Sequence, residues 1–210
     1  RRRLSAEQIR DLALYASGQL IEKLGGPSVK PYQPEGLWQE VAMLQSNTRE
    51  FARGESDDLH RRSLYTYWKR ACPPPSLQTF DAPTREACVI RRPATNTPLQ
   101  ALVLMNDEQY IEAARVLAQR MLAGDGGDAQ RMAALFRRCT GRTPAADESS
   151  RLLKALDEFR ARYAAAPNDA ESLLKAGVAM RSKDTPAPEL AAWTMIASAV
   201  LNLHETVTQD

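Results

Sequence analysis

A carboxylate at Asp81 and a guanidinium pair at Arg91 and Arg92 lie in the most unusual stretch of the chain, CPPPSLQTFDAPTREACVIRRPATNTPLQALVLMND over residues 72–107. Such a set can grip a carboxylate, a sulfate or a sugar if the backbone holds it still, because a guanidinium fork matches an anion with two parallel hydrogen bonds. The surrounding residues favour stillness. Pro73, Pro74 and Pro75 predict an extended left-handed run with no internal hydrogen bonds. Asp81 precedes Ala82-Pro83, where its carboxylate can accept backbone N–H groups in an Asx turn, and Phe80 is the natural anchor of that turn. Pro93 disfavours helical geometry at Arg92. Two readings stand. Either Asp81 or Glu86 pairs with one of the arginines and staples the loop, or Asp81, Arg91 and Arg92 wall a binding cleft.

A second mixture, RRSLYTYWKR at 61–70, interleaves basic residues with Tyr65, Tyr67 and Trp68. Tyr65 and Trp68 could stack on a sugar or a base, although core packing with a solvated basic rim explains the same pattern. His60, close to Asp57 and Asp58, has the makings of a base with orienting carboxylates. Charges at a helix start account for it equally through the helix dipole, and no serine or cysteine is placed by sequence as its nucleophile partner. Cys72, Cys88 and Cys139 form no C-x-x-C or C-x-x-C-H, so neither a thioredoxin-type pair nor covalent haem attachment is expected in this chain. Only His60 and His204 are available as imidazole ligands, and no metal site is expected from spacing. A Cys72–Cys88 bridge closing the proline-rich loop would contribute about 3 kcal/mol; three free thiols are the alternative.

A helical body must position these groups. Ser5 and Gln8 form a capping box at the head of a helix whose apolar stripe (Ile9, Leu12, Ala13, Ala16, Leu20, Leu24) predicts that it runs to Gly25-Gly26. GLWQEVAML reads as a short helix with Trp38, Val41 and Ala42 inward. Residues 45–57 are polar and are the candidate mobile loop. Residues 58–70 are read as helix, with strand as the alternative because Leu64, Thr66 and Trp68 also alternate. Thr97-Pro98 opens LQALVLM, apolar enough to predict a buried helix. Asp107 caps EQYIEAARVLAQRMLAG, Gly141 closes DAQRMAALFRRCT, Thr143-Pro144 opens a long helix, and Asn168 can cap a short one. The run ELAAWTMIASAVLNLHETV is apolar on most faces, so other helices should surround it. The expected architecture is all-α: a single irregular multi-helix domain over 1–210 with a long ordered proline-rich loop.

Composition narrows the partners. A hydrophobic fraction of 43% and a net charge of +2 suit a globular domain with a sizeable core. Acids and bases are interleaved, so no nucleic-acid partner is expected. No apolar run reaches the ~20 residues of a membrane span.

The runs GGPSV (25–29), RRSLYTYWKR (61–70), PPPSLQTFDAPTRE (73–86), RRPATNTPLQALVLMND (91–107), FRRCTGRTPAADE (136–148) and SAVLNLHE (198–205) resemble the planctomycete-specific cytochrome-associated domain of unknown function. The resemblance runs from the first helix to the end of the chain. It implies the C-terminal piece of a large exported, periplasmic protein, with any haem c carried by a separate domain and no cofactor in this chain. It supplies no catalytic residues. An oxidising compartment would favour the Cys72–Cys88 bridge. The expected role is a non-catalytic helical interaction or scaffold module whose partner is another domain of the same polypeptide or a separate protein. The alternative is a domain acting on carbohydrate polymer or in electron transfer, with its site on the 73–93 loop and Asp81, Arg91, Arg92, His60, Tyr65 and Trp68 as binding residues.

Overall fold

A computed structural model describes residues 2–209. Its centre is α9 (Ala187–Leu201), apolar all round, with Leu190, Trp193, Ile196 and Val200 fully buried. A helix of that composition must be enclosed. It is: α5 (Glu108–Leu122), α7 (Ala146–Ala165), α8 (Pro167–Leu173), α6 (Asp128–Thr140) and α4 (Pro98–Asn106) all pack on it. Each start is specified locally. Asp107 accepts the Gln109 N–H at the head of α5, and the Glu148 side chain reaches back to the Ala145 N–H ahead of α7. Gly141, at φ +82°, ends α6 in the left-handed geometry that glycine adopts without strain. Among the described residues there are nine α-helices, and none is long and apolar enough to cross a membrane. The fold is mostly α, as expected, with one addition: β1 (Arg2–Arg3) pairs antiparallel with β2 (Thr208–Gln209) and ties the chain ends together.

The other half is irregular. The first helix, α1 (Ala6–Ser17), has the expected capping box but stops at Gly18, well short of Gly25-Gly26. Gly18 turns left-handed, and a Cβ there would collide with the Arg120 guanidinium, which hydrogen-bonds the Ser17 carbonyl. The apolar stripe beyond it was misleading, since Leu24 is exposed. A short α2 (Leu37–Val41) buries Trp38 as expected but exposes Val41. Residues 58–70 are neither helix nor strand. Two 3-10 turns (Ser56–Leu59 and Ser63–Tyr65) alternate with single bridges, Ile21 to Arg61 and Val29 to Thr66. The proline run is not extended throughout either: Pro75 is the first residue of α3 (Pro75–Thr79), where a missing N–H costs nothing. Within 45–57, Phe51 packs edge-on to Trp38, and Lys69 Nζ bonds the Thr48 carbonyl at 2.6 Å.

α4 departs from expectation in burial. It turns Gln100 and Leu104 inward, while Leu99, Leu102 and Met105 face solvent. Its apolar composition suggested full burial, but α5 and α9 cover one side only.

Buried arginines hold the irregular half together. Arg10, on α1, is 2% exposed and donates to Gln109 Oε1, the Arg61 and Leu59 carbonyls and Ser63 Oγ. Arg61 donates to the carbonyls of Lys23, Gly25 and Pro27 while its guanidinium lies 4.0 Å from the Tyr65 ring centre. Backbone groups that elsewhere would pair in a helix or a sheet find guanidinium partners here, which is how buried carbonyls avoid an unsatisfied state.

Candidate functional site

The Asp81 turn is built from its neighbours. Phe80 is buried and meets Tyr110 edge-on at 6.3 Å, so the expected anchor is real. Asp81 itself adopts φ +62°, a conformation that aspartate tolerates better than most side chains. Its carboxylate accepts the Thr95 N–H at 2.7 Å and the Thr95 hydroxyl at 2.8 Å. Gln100 Nε2 then bonds both Thr95 Oγ1 and the Thr79 carbonyl, and Gln100 Oε1 accepts from Arg3 at 2.6 Å. Both ends of the loop are thus latched to α4 and to β1.

Those latches shape a cleft of about 350 Å³ between β1, the head of α1 and the loop, lined by Arg2, Arg3, Phe80, Asp81, Arg91 and Arg92 among others. The loop and the arginine pair do converge on one concavity. The expected Asp81–Arg staple is absent, because Thr95 occupies the carboxylate. Arg92 instead pairs with Glu7 on α1 at 2.7 Å, and Arg91 makes no ion pair among the described residues. Burial acts to raise the Glu7 carboxyl, but its bonds from Arg92 and neighbouring groups outweigh this and lower it. Four arginines line the cleft, against Asp81 in its lining and Glu7 on Arg92, so among the described residues its charge favours an anionic group. Arg2 and Arg3 were not singled out by sequence. Their role follows from the β1–β2 pairing, which no local signal announces.

The remaining candidates lie elsewhere. Tyr65 is stacked under Arg61, and its hydroxyl accepts the Gly25 N–H at 2.9 Å. Trp68 Nε1 bonds the Thr84 carbonyl at 3.0 Å with Arg85 over its ring at 4.3 Å, so it fastens the start of the loop. His60 faces a different cleft, and its carboxylate partner is Glu112 on α5 rather than Asp57 or Asp58. Cys72, Cys88 and Cys139 are unbridged: Cys88 is exposed and Cys72 half-buried, while burial pushes the Cys139 thiol up to about 12.

One polar stripe escaped the sequence reading altogether. Glu108, Glu112, Arg115 and Gln119 recur along one face of α5 and stitch down residues 176–182. Their spacing was visible, but charged residues at helical spacing ordinarily mark a solvated face.

No curated protein and no solved structure matches the chain. A family model described as PSD1, protein of unknown function (DUF1553), matches residues 1–156. That span takes in the arginine cleft and its supporting helices and stops within α7, before the SAVLNLHE run. The chain belongs to the PSD1 family of proteins of unknown function.

Proposed function

We propose that the chain is a helical interaction module that grips an acidic group of its partner in the cleft between β1 and the 80–94 loop. The observation that carries the reading is the gathering of Arg2, Arg3, Arg91 and Arg92 around one concavity in which Asp81 is the only lining carboxylate among the described residues. That carboxylate accepts the N–H and hydroxyl of Thr95. Arg91 supplies a fork that makes no ion pair among the described residues, and Arg92 can exchange Glu7 for a ligand, the geometry in which arginine binds carboxylate or sulfate in preference to lysine. A carbohydrate-polymer reading wants aromatic platforms beside the polar groups, and Tyr65 and Trp68 are employed elsewhere. Following the family resemblance, the partner is another domain of the same exported, cytochrome-bearing planctomycete polypeptide.

Titration with inorganic sulfate and with acetate, followed by amide chemical shifts, tests this. Shifts are expected at Arg91, Arg92 and Ala94, weakened at least tenfold by Arg91→Ala with Arg92→Ala and diminished by added salt. Shifts scattered over the surface, or unchanged in the double variant, would refute the reading.

A further inference from the structure

The Asp81 carboxylate of the arginine cleft is taken up by Thr95, but a second cleft holds an imidazole backed by a carboxylate. It measures about 410 Å³ and is lined by residues 53–57, Leu59, His60, Val178 and Ala179. Behind it lies Glu112, whose side chain is 1% exposed. One carboxylate oxygen accepts the Val178 and Ala179 N–H groups, each at 2.6 Å. The other accepts the Tyr32 hydroxyl at 2.9 Å and lies 3.1 Å from His60 Nε2. Burial works to raise this carboxyl, yet bonds from His60, the Ala179 N–H and Tyr32 outweigh burial and bring it below its ordinary value. With the Val178 and Ala179 N–H groups and the Tyr32 hydroxyl already donating to it, Glu112 is the acceptor of the pair, and the proton shared with the ring is placed on His60 Nε2. The Gln19 amide also lies 3.2 Å from Nε2; with its oxygen turned to the ring it accepts that N–H, while its nitrogen donates to Ser17 Oγ. Nδ1 then carries a lone pair. Among the described residues nothing hydrogen-bonds it, and it is not sealed from solvent.

We infer that His60 and Glu112 form a general-base dyad, with His60 Nδ1 the acceptor and Glu112 the group that orients the ring and stabilises its cation. This is the division of labour by which a buried carboxylate makes a neighbouring imidazole an effective base. The rest of the cleft indicates the substrate. Among the described residues Arg53 is its one lining arginine or lysine, half-exposed and 3.8 Å from Glu108, while Glu55 and Asp57 are acids. An anionic substrate would meet net negative charge. A neutral acyl ester would not, and the oxyanion formed during attack would meet Arg53. His60 Nδ1 removes a proton from water as the water oxygen bonds to the acyl carbon. The C–O bond to the alcohol then breaks, and the imidazolium returns its proton to the departing alkoxide. The products are the carboxylic acid and the alcohol. Ser56 lines the same cleft at φ +48°, a strained backbone of the kind that gathers at functional sites. The charged and titratable groups facing the dyad are Tyr32 from the 19–32 segment, Arg53, Glu55 and Asp57 from the cleft wall, and Glu108 and Arg115 from α5.

The test uses the whole chain and p-nitrophenyl acetate as the probe. The wild type should release nitrophenolate at least about tenfold faster than free imidazole at equal concentration. His60→Ala should lose that excess and regain it on addition of imidazole, while Leu102→Ser, on the solvent face of α4, should leave it intact. If His60→Ala fails to fold, carbethoxylation of the wild type replaces it: modification mapped to His60 should abolish hydrolysis, and modification mapped to His204 should not. A wild-type rate no better than imidazole, an undiminished rate in folded His60→Ala, or a rate that survives carbethoxylation of His60 would overturn the assignment. None of these outcomes bears on anion binding at the other cleft.

Discussion

The helical body and the irregular half (residues 18–97) solve the same problem by different means. Around α9 the backbone satisfies itself, and stability comes from burying Leu190, Trp193, Ile196 and their neighbours on α5 and α7. In the irregular half helices are short, the pairings are single bridges, and buried guanidiniums take up the carbonyls. Both regions are ordered, but one by area and the other by direction. Groups that could do chemistry fall in or beside the second. A helix offers its side chains at fixed intervals, whereas an arginine-tied loop can set a ring such as His60 against a carboxylate on a neighbouring helix.

Substitutions sharpen the contrast. Trp193→Ala should cost about 3–5 kcal/mol, read as a drop in the urea midpoint by every probe, because α9 packs against α4, α5, α6, α7 and α8. Arg10→Lys keeps the charge but cannot span two carbonyls, Gln109 and Ser63 at once, and should cost about 2–3 kcal/mol, with the 56–66 backbone loosening first. A uniform loss from Arg10→Lys would erase the distinction between the regions. Gly177 has φ +79°, and a Cβ there would strike the Glu112 carboxyl. Gly177→Ala should therefore cost about 1–3 kcal/mol and release residues 176–180, visible as new proteolytic cleavage.

Acid should act in one direction. The Arg142 hydrogen bonds hold Glu148 at about 2, against an ordinary 4.5, and Glu112 is also held low. A depressed carboxylate contributes fully above the unfolded value and loses its contribution as pH falls through the folded one. Stability should decline from about pH 4.5 toward 2, less steeply in Glu148→Gln, as denaturation midpoints across that range will show. The smallest effect belongs to Leu102→Ser. Leu102 is 54% exposed, so stability should stay within about 0.5 kcal/mol.

Legibility in the sequence divides along the same line. The helices from α5 onward, the Ser5 and Asp107 caps, the Gly141 stop and the enclosed α9 were readable, because periodicity and capping are local. Phe80 as anchor was readable too, whereas the sequence left open whether Asp81, Arg91 and Arg92 staple the loop or wall a cleft. Gly18 as the end of α1 was not, because the reason for it, Arg120, lies a hundred residues away. The Glu112 partner of His60 was equally hidden. Asp57 and Asp58 were nearer in sequence, and only the packing of α5 brings Glu112 within 3.1 Å. Residues 58–70 resisted assignment because their backbone is satisfied by the Arg10 guanidinium, the Asp11 carboxylate and single bridges to Ile21 and Val29 rather than by a repeating pattern.

Amide hydrogen exchange in Arg10→Lys and Arg61→Lys tests most directly whether guanidinium bonds order the irregular half. The amides of Ile21, Val29 and Tyr67, which bond the carbonyls of His60, Tyr65 and Val29, should exchange at least tenfold faster than in the wild type, while those of α5 and α9 keep their protection. Unchanged exchange at those three amides, or an equal acceleration throughout α5 and α9, would contradict the account.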